Sequence, residues 1–102
     1  MNKCTELSDF EINQKVAECL GVEWFVTSTI WDELVVIVNG KHFKPCNNPA
    51  DAMPIIIENK IAMNHPYDIW QCGSGWNVAE NKNPLRACME SYLLMKDAEN
   101  EG

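Results

Sequence analysis

The sequence has no long apolar run, and this shortage limits what the chain can be. Its longest uninterrupted apolar segment is five residues, Leu34–Val38, whereas a membrane-spanning helix needs about 20. The N-terminal residues include Glu6, Asp9 and Glu11 and lack the apolar region of a secretory signal. We therefore expect a protein that is neither exported nor embedded in a membrane.

Basic residues are also scarce. The chain has 8 Lys and Arg against 15 Asp and Glu, a formal net charge of −7, and its only basic cluster is Lys41, His42 and Lys44. Because binding to nucleic acid requires a concentrated basic face, we expect no direct contact with DNA or RNA. An acidic surface keeps a small protein soluble. It also leaves open a basic partner or imitation of nucleic acid.

The five cysteines lack the spacing of a disulfide framework or a zinc site, since their number is odd and no two form C-x-x-C. Cys19 and Cys88 fall on apolar faces of predicted helices, where a thiol behaves as a small hydrophobe. Free thiols indicate a reducing compartment, so we expect a cytoplasmic protein. The two histidines and scattered carboxylates form no recognisable metal set, and we expect no metal or cofactor.

The composition is that of one folded domain covering residues 1–102. The apolar fraction is 46% and there are four tryptophans, which is too apolar for a disordered acidic segment. A chain of 102 residues buries a modest core without disulfides or metal. Residues 97–102 are acidic, and we expect them to fray.

Three helices are predicted from their start signals and apolar periodicity. Ser8 and Glu11 form a capping box before an apolar stripe that Gly21 ends. The second helix opens with Pro49 after Asn48, the third with Pro84 after Asn83. The expected buried residues are Ile12, Val16, Cys19 and Leu20 in the first helix, Met53, Ile56 and Ile57 in the second, and Leu85, Cys88, Met89, Tyr92 and Leu93 in the third. Arg86 and Glu90 are expected to pair on the outer face of the third helix.

Two hairpins are predicted between the helices. Asn39-Gly40 is a strong signal for a type I′ turn after the Leu34–Val38 strand. The second hairpin is expected to run from Ile69–Cys72 to Trp76–Ala79 through Gly73-Ser74-Gly75. The fold class is therefore α+β, in the order α-ββ(β)-α-ββ-α. We expect a mainly antiparallel sheet of four or five strands packed with three helices.

Candidate binding residues stand at the two Asn-Pro helix starts. Asn47, Asn48, Asp51 and Asn83 have the polar groups to hold an anion or a peptide at a helix N-terminus. The same residues are the preferred helix caps, and Asp51 complements the helix dipole, so a purely structural role explains them as well. We keep both interpretations at this point.

Aromatic residues supply a second set of candidates. Trp70 and Trp76 lie in the predicted second hairpin, and tryptophans left exposed on a sheet mark a protein contact. His42 and Cys46 share a strand face, but a thiol nucleophile needs an adjacent base and a lowered pKa, so this spacing alone gives weak support for catalysis. We find no catalytic set and predict a protein that is not an enzyme.

Three segments carry a family resemblance. They are Glu6–Asn13 (ELSDFEIN), Cys46–Asn59 (CNNPADAMPIIIEN) and Asn83–Met89 (NPLRACM). Together they resemble the NinX-like proteins of lambdoid phages and prophages, which are related to small phage proteins described as an α-β-α sandwich. The resemblance implies a phage accessory protein acting in the host cytoplasm, and it implies no particular activity.

The leading functional hypothesis is a non-enzymatic module that binds a host or phage protein. One alternative is a small-ligand or nucleotide binder with the Asn-rich helix starts converging at the ligand, as a monomer or a homodimer. The other is an acidic mimic of nucleic acid. The mimic requires the carboxylates of the first and last helices to form one continuous row, free of interrupting basic residues such as Lys15, Lys82 and Arg86.

Overall fold

A computed structural model describes residues 6–101 of the chain. Three helices and six short strands alternate as one helix followed by three strands, repeated, with a final helix. In chain order they are α1 (Asp9–Leu20), β1 (Trp24–Ser28), β2 (Leu34–Val38), β3 (Lys41–His42), α2 (Pro49–Glu58), β4 (Met63–Asn64), β5 (Trp70–Cys72), β6 (Ala79–Asn81) and α3 (Pro84–Glu101).

The α+β class is confirmed, but the expected single sheet is wrong. The strands form two separate three-stranded antiparallel sheets, ordered β1-β2-β3 and β4-β5-β6. Each sheet is completed by a two-residue strand, β3 or β4. The sheets also pack on different helices, because α1 contacts β2 whereas α3 contacts β5 and β6.

Local signals placed the first helix correctly. The Ser8 hydroxyl accepts from the Glu11 N–H, and the Glu11 carboxylate accepts from the Ser8 N–H, so the capping box is present. Gly21 ends α1 at φ 71°, in the left-handed region that glycine adopts without strain. One residue of the predicted stripe is misplaced, since Cys19 is exposed while Ala17 and Asn13 are buried.

The core lies between the helices and one face of each sheet. Its side chains come from all three helices, and Tyr92, Met89 and Ile12 are the largest fully buried ones. In α2 the buried residues are Ala52, Ile55 and Ile56. The prediction that Met53 and Ile57 are buried is wrong, because the two lie four positions apart on the outer face of α2, 37% and 68% exposed.

The second strand of the second hairpin begins later than the sequence indicates. Trp76 lies in the loop between β5 and β6, and β6 starts only at Ala79. Gly73 and Gly75 have φ of 106° and 61°, and the Asn77 N–H donates to the Ser74 carbonyl at 3.1 Å. The turn therefore continues past the predicted Gly73-Ser74-Gly75 and takes up residues 76–78, which we expected to lie in the strand.

The last helix keeps its predicted buried face, with Cys88, Met89, Tyr92 and Leu93 buried. It continues as far as Glu101, through most of the segment that we expected to fray. Gly102 lies outside the described residues.

Candidate functional site

Polar side chains from the starts of the helices meet at one place, which we call the polar junction (Asp9, Asn47, Asn83, Arg86 and Glu90). The Asn47 amide donates to Asp9 at 3.2 Å, and the Asn83 amide donates to Asn47 at 3.4 Å. Arg86 donates to Asp9 at 2.6 Å and to Glu90 at 2.8 Å. The junction therefore connects the start of α3 to the start of α1, 77 positions away in sequence.

The predicted site residue Asn83 is fully used inside the protein. Its side-chain oxygen accepts from the Leu85 N–H at 3.0 Å, which caps α3, and its amide donates to the Cys46 carbonyl at 2.7 Å. The structure thus brings Asn47 and Asn83 together, as a convergent site requires. It directs their polar groups at neighbouring protein atoms.

Asn48 and Asp51 are likewise engaged at the start of α2. The Asn48 side chain accepts from the Ala50 N–H at 3.0 Å and caps the helix. Asp51 accepts from the Lys44 N–H at 2.9 Å and fastens the preceding loop to α2. The Asn48 contact is the one that helix capping requires, and the Asp51 contact ties a loop to the helix, so both favour a structural role for these residues.

The charge of the polar junction opposes anion binding. One guanidinium faces two carboxylates, and the Glu90 side chain is 0% exposed. Burial disfavours the charge on Arg86, but its hydrogen bonds to Glu90 and Asp9 outweigh this effect and raise its pKa. Glu90 Oε1 has no hydrogen-bond partner among the described residues. The Arg86–Glu90 pair is therefore confirmed, but it is buried and does not lie on the outer face.

Three of the cysteines are placed for packing and not for nucleophilic chemistry. Cys46, Cys72 and Cys88 are 0% exposed. Burial raises the pKa of Cys46 to about 12, with the nearby Asp9 acting in the same direction. Burial also raises the pKa of Cys72 and Cys88. A nucleophilic thiol needs the opposite shift, and His42 lies exposed on β3.

Alkylation tests this assignment. Iodoacetamide at neutral pH is expected to modify Cys19 in the folded protein, because Cys19 is exposed. Cys46, Cys72 and Cys88 should react roughly 1,000-fold more slowly, since they must wait for the fold to open. Peptide mass spectrometry over time, with and without urea, measures each site separately. Rapid native modification of Cys46 would contradict the assignment and reopen a catalytic role for it.

Exposed apolar side chains concentrate on the β1–β2 hairpin. Among the described residues ten large apolar side chains are exposed, and six of them belong to this hairpin and its approach. The other four are Met53, Ile57, Tyr67 and Trp76. We call the six the apolar hairpin surface; they are Val22, Phe25, Val26, Ile30, Trp31 and Leu34.

The tip of the hairpin is held in a defined turn. The Thr29 N–H donates to the Glu33 carbonyl at 2.9 Å, and the Thr29 hydroxyl accepts from the Trp31 N–H at 3.2 Å. This turn presents Ile30 and Trp31 at 92% and 79% exposure. Water contact of this extent on two adjacent apolar side chains is typical of a contact surface.

The four tryptophans divide into two pairs. Trp24 and the predicted site residue Trp70 are half-buried against the core, and the ring of Trp70 lies 4.9 Å from that of His65. Trp31 and Trp76 are exposed, Trp76 almost completely at 99%. Trp76 lies in the β5–β6 loop, between Gly75 and Asn77 in sequence, whereas Trp31 belongs to the hairpin that carries six of the ten exposed large apolar side chains of the described residues.

Sequence reasoning missed the apolar hairpin surface, although two signals pointed to it. Ile30 and Trp31 directly precede the turn residues Asp32 and Glu33, a position where polar residues are usual. The segment from 16 to 40 also has no Lys or Arg, while it contains Glu18, Glu23, Asp32 and Glu33. This stretch of sequence therefore combines apolar and acidic residues without a cation.

Two other kinds of site are absent from the described part of the chain. Within residues 6–101, no group of His, Cys, Asp and Glu side chains is arranged to hold a metal ion. No helix in that range combines the length and the apolar character needed to cross a bilayer.

Comparison with known proteins assigns the chain to a family. No curated protein and no solved structure shows significant similarity to it. The sequence model described as "Bacteriophage P22, NinX" matches residues 3–96, which is most of the chain. This match includes all three segments that carried the resemblance. The chain therefore belongs to the family of proteins described by the bacteriophage P22 NinX model.

Proposed function

We propose that this protein is a non-enzymatic phage accessory protein of the host cytoplasm that binds another protein through the apolar hairpin surface. One observation carries the proposal. Six of the ten exposed large apolar side chains of the described residues gather on a single hairpin whose tip presents Trp31 at 79% exposure. Exposed apolar patches mark interaction sites, and tryptophan is enriched among the residues that anchor protein interfaces.

The geometry gives less support to the two alternatives. A nucleotide binder needs free polar groups at the helix starts, whereas Asn47 and Asn83 bond to protein atoms in the polar junction. An acidic mimic needs a continuous row of carboxylates. Asp9 and Glu90 are instead paired with Arg86, and Glu90 is buried, which interrupts that row.

Affinity capture with a matched pair of variants tests the proposal. Tagged wild type, Trp31→Ser and Trp76→Ser are expressed in infected or lysogenic cells, and bound proteins are quantified by mass spectrometry. Trp31→Ser is expected to lose the bound protein by roughly 30-fold or more, the effect of removing an interface anchor. Trp76→Ser removes a tryptophan that is still more exposed, at 99%, but lies outside the apolar hairpin surface, and it should retain the bound protein.

Both variants replace surface residues, so their unfolding free energies should stay within about 0.5 kcal/mol of wild type. Thermal denaturation checks this before capture. Recovery of the same proteins with wild type and Trp31→Ser contradicts the proposal, as does recovery of the bait alone in every case. In this capture a second, untagged copy of the chain counts as a bound protein.

A further inference from the structure

We propose that the apolar hairpin surface binds a second copy of this chain, with β1 of each copy pairing antiparallel to β1 of the other about a two-fold axis at Val26. This inference rests on the proposed function, because it names the protein that occupies the same surface. The pairing joins the β1-β2-β3 sheets of the two copies into one six-stranded sheet. The second copy is argued from the open edge, its register, the cavity beside it and the area available.

β1 has an open edge. It is the outer strand of its sheet, and four of its five residues are exposed. The Thr29 N–H bonds to Glu33, and in an antiparallel ladder such pairs alternate along the strand. Trp24, Val26 and Ser28 therefore direct their N–H and carbonyl groups away from β2.

This edge has none of the usual protection against pairing. Natural edge strands are blocked by Lys, Pro, inward charges or bulges. The β1 sequence is Trp-Phe-Val-Thr-Ser, with no proline and no charged residue. An unprotected edge of five residues is a template for another strand.

The strand is self-complementary about Val26. Antiparallel pairing centred there sets Val26 opposite its own copy and forms six backbone hydrogen bonds from the outward-facing residues. Phe25 then lies diagonal to the second Phe25, within reach of an aromatic side chain. No like charges face each other in this register, which pairs Trp24 with Ser28, Glu23 with Thr29, and Val22 with Ile30.

A cavity of about 560 Å³ lies at the base of the hairpin. Its lining includes Val22, Trp24, Phe25 and Ile37. The two-fold register brings the tip of the second copy, with its Ile30 and Trp31, to this base, and the reverse contact forms by symmetry. Each copy therefore contributes the same surface, and every contact occurs twice, as a closed two-fold dimer requires.

The exposed area matches what a stable dimer needs. From their exposed fractions, the six residues of the apolar hairpin surface present roughly 600–800 Å² per copy, which is the upper limit of the area that they can bury. Specific interfaces bury about 1,200–2,000 Å² in total, counting both partners. Charge acts against association, because each copy has a net charge of −7. Added salt screens this repulsion and is expected to tighten the dimer.

Sedimentation equilibrium with Val26 variants tests the register. The wild-type chain is expected to form dimers in the micromolar range, more tightly at 0.5 M than at 0.05 M NaCl. Val26→Lys reduces the net charge of each copy, yet it places two lysines against each other on the axis, so dimerisation should weaken at least about 30-fold. Met53→Lys adds the same charge at a residue that is also 37% exposed, and it should leave dimerisation intact.

Complementation makes the test specific. Val26→Glu alone should also be monomeric, but an equimolar mixture of Val26→Lys and Val26→Glu should dimerise again, because only a register centred on this residue puts the two charges together. Amide hydrogen exchange of the wild type supplies a check without substitution. The N–H groups of Trp24, Val26 and Ser28 should become protected as concentration rises.

A chain that stays monomeric at millimolar concentration, a dimer indifferent to Val26→Lys, or a mixture that does not recombine would each overturn the inference. These failures are separable from failure of the proposed function. If the chain is monomeric but Trp31→Ser still loses a different captured protein, the proposed function stands and only the second copy is rejected as the bound protein.

Discussion

Gly73→Ala is expected to destabilise the protein by about 3–5 kcal/mol, the sum of backbone strain and overpacking. Gly73 has φ 106°, a conformation that side chains rarely allow. A Cβ at this position would overlap the Asn77 carbonyl and the Ser91 hydroxyl. The two groups cannot easily separate, because the Ser91 hydroxyl donates to the Asn77 carbonyl at 2.6 Å and Ser91 is 0% exposed on α3.

The close approach at Gly73 holds the β5–β6 loop against α3, so its loss should also loosen the second sheet. Urea denaturation followed by far-UV circular dichroism measures the change. Gly75→Ala is the matched control, since Gly75 also has a positive φ of 61° but its added Cβ would meet no described atom within 4 Å. We expect about 1 kcal/mol there. Equal losses at both glycines would show that overlap with Asn77 and Ser91 contributes nothing.

Arg86→Met, as a separate variant, is expected to lower the free energy of unfolding by about 3–5 kcal/mol, because it leaves the buried carboxylate of Glu90 without its cation. Glu90 has a side chain that is 0% exposed, and Arg86 bonds it at 2.8 Å. The same substitution removes the bond to Asp9, which is 44% exposed and free to turn to water. It also removes the bond to the Leu7 carbonyl at 2.6 Å, a neutral acceptor whose loss leaves no charge unpaired. The main loss therefore arises at Glu90.

A double variant separates the lost ion pair from lost packing. Arg86→Met with Glu90→Met removes both charges and should recover most of the stability, since apolar replacement of a buried pair is often neutral. Lys96→Met breaks the exposed pair with Glu99, at 3.1 Å, and should change stability very little. A double variant no more stable than Arg86→Met would contradict the assigned cause.

The two sets of predictions concern different properties. Gly73 and Arg86 support the fold, so their variants should lose binding only by unfolding. Trp31 and Val26 lie on the apolar hairpin surface, and their variants should remain folded while losing a contact. Measuring stability for all variants before any binding assay keeps the two effects apart.

Local sequence patterns determined much of this fold. The capping box at Ser8, the Gly21 stop, the Asn39-Gly40 turn and the buried face of α3 depend on residues within a few positions of each other. The family could also be identified from the sequence, because each of the three segments that carry the resemblance is an uninterrupted run of residues. Asn48 and Asn83 were rightly recognised as residues that cap helices.

Tertiary structure alone decided the division into two sheets, the burial of Arg86 and Glu90, and the exposure of the hairpin. Each depends on partners far apart in sequence, as Asp9 and Arg86 are, or on which face a neighbouring element covers. Periodicity identifies apolar positions but not what lies against them, so Ile57 looks like a core residue although the packing leaves it exposed. The candidate binding surface is set by what the fold fails to cover, so a local signal such as apolar residues at a turn can point to it but cannot decide it.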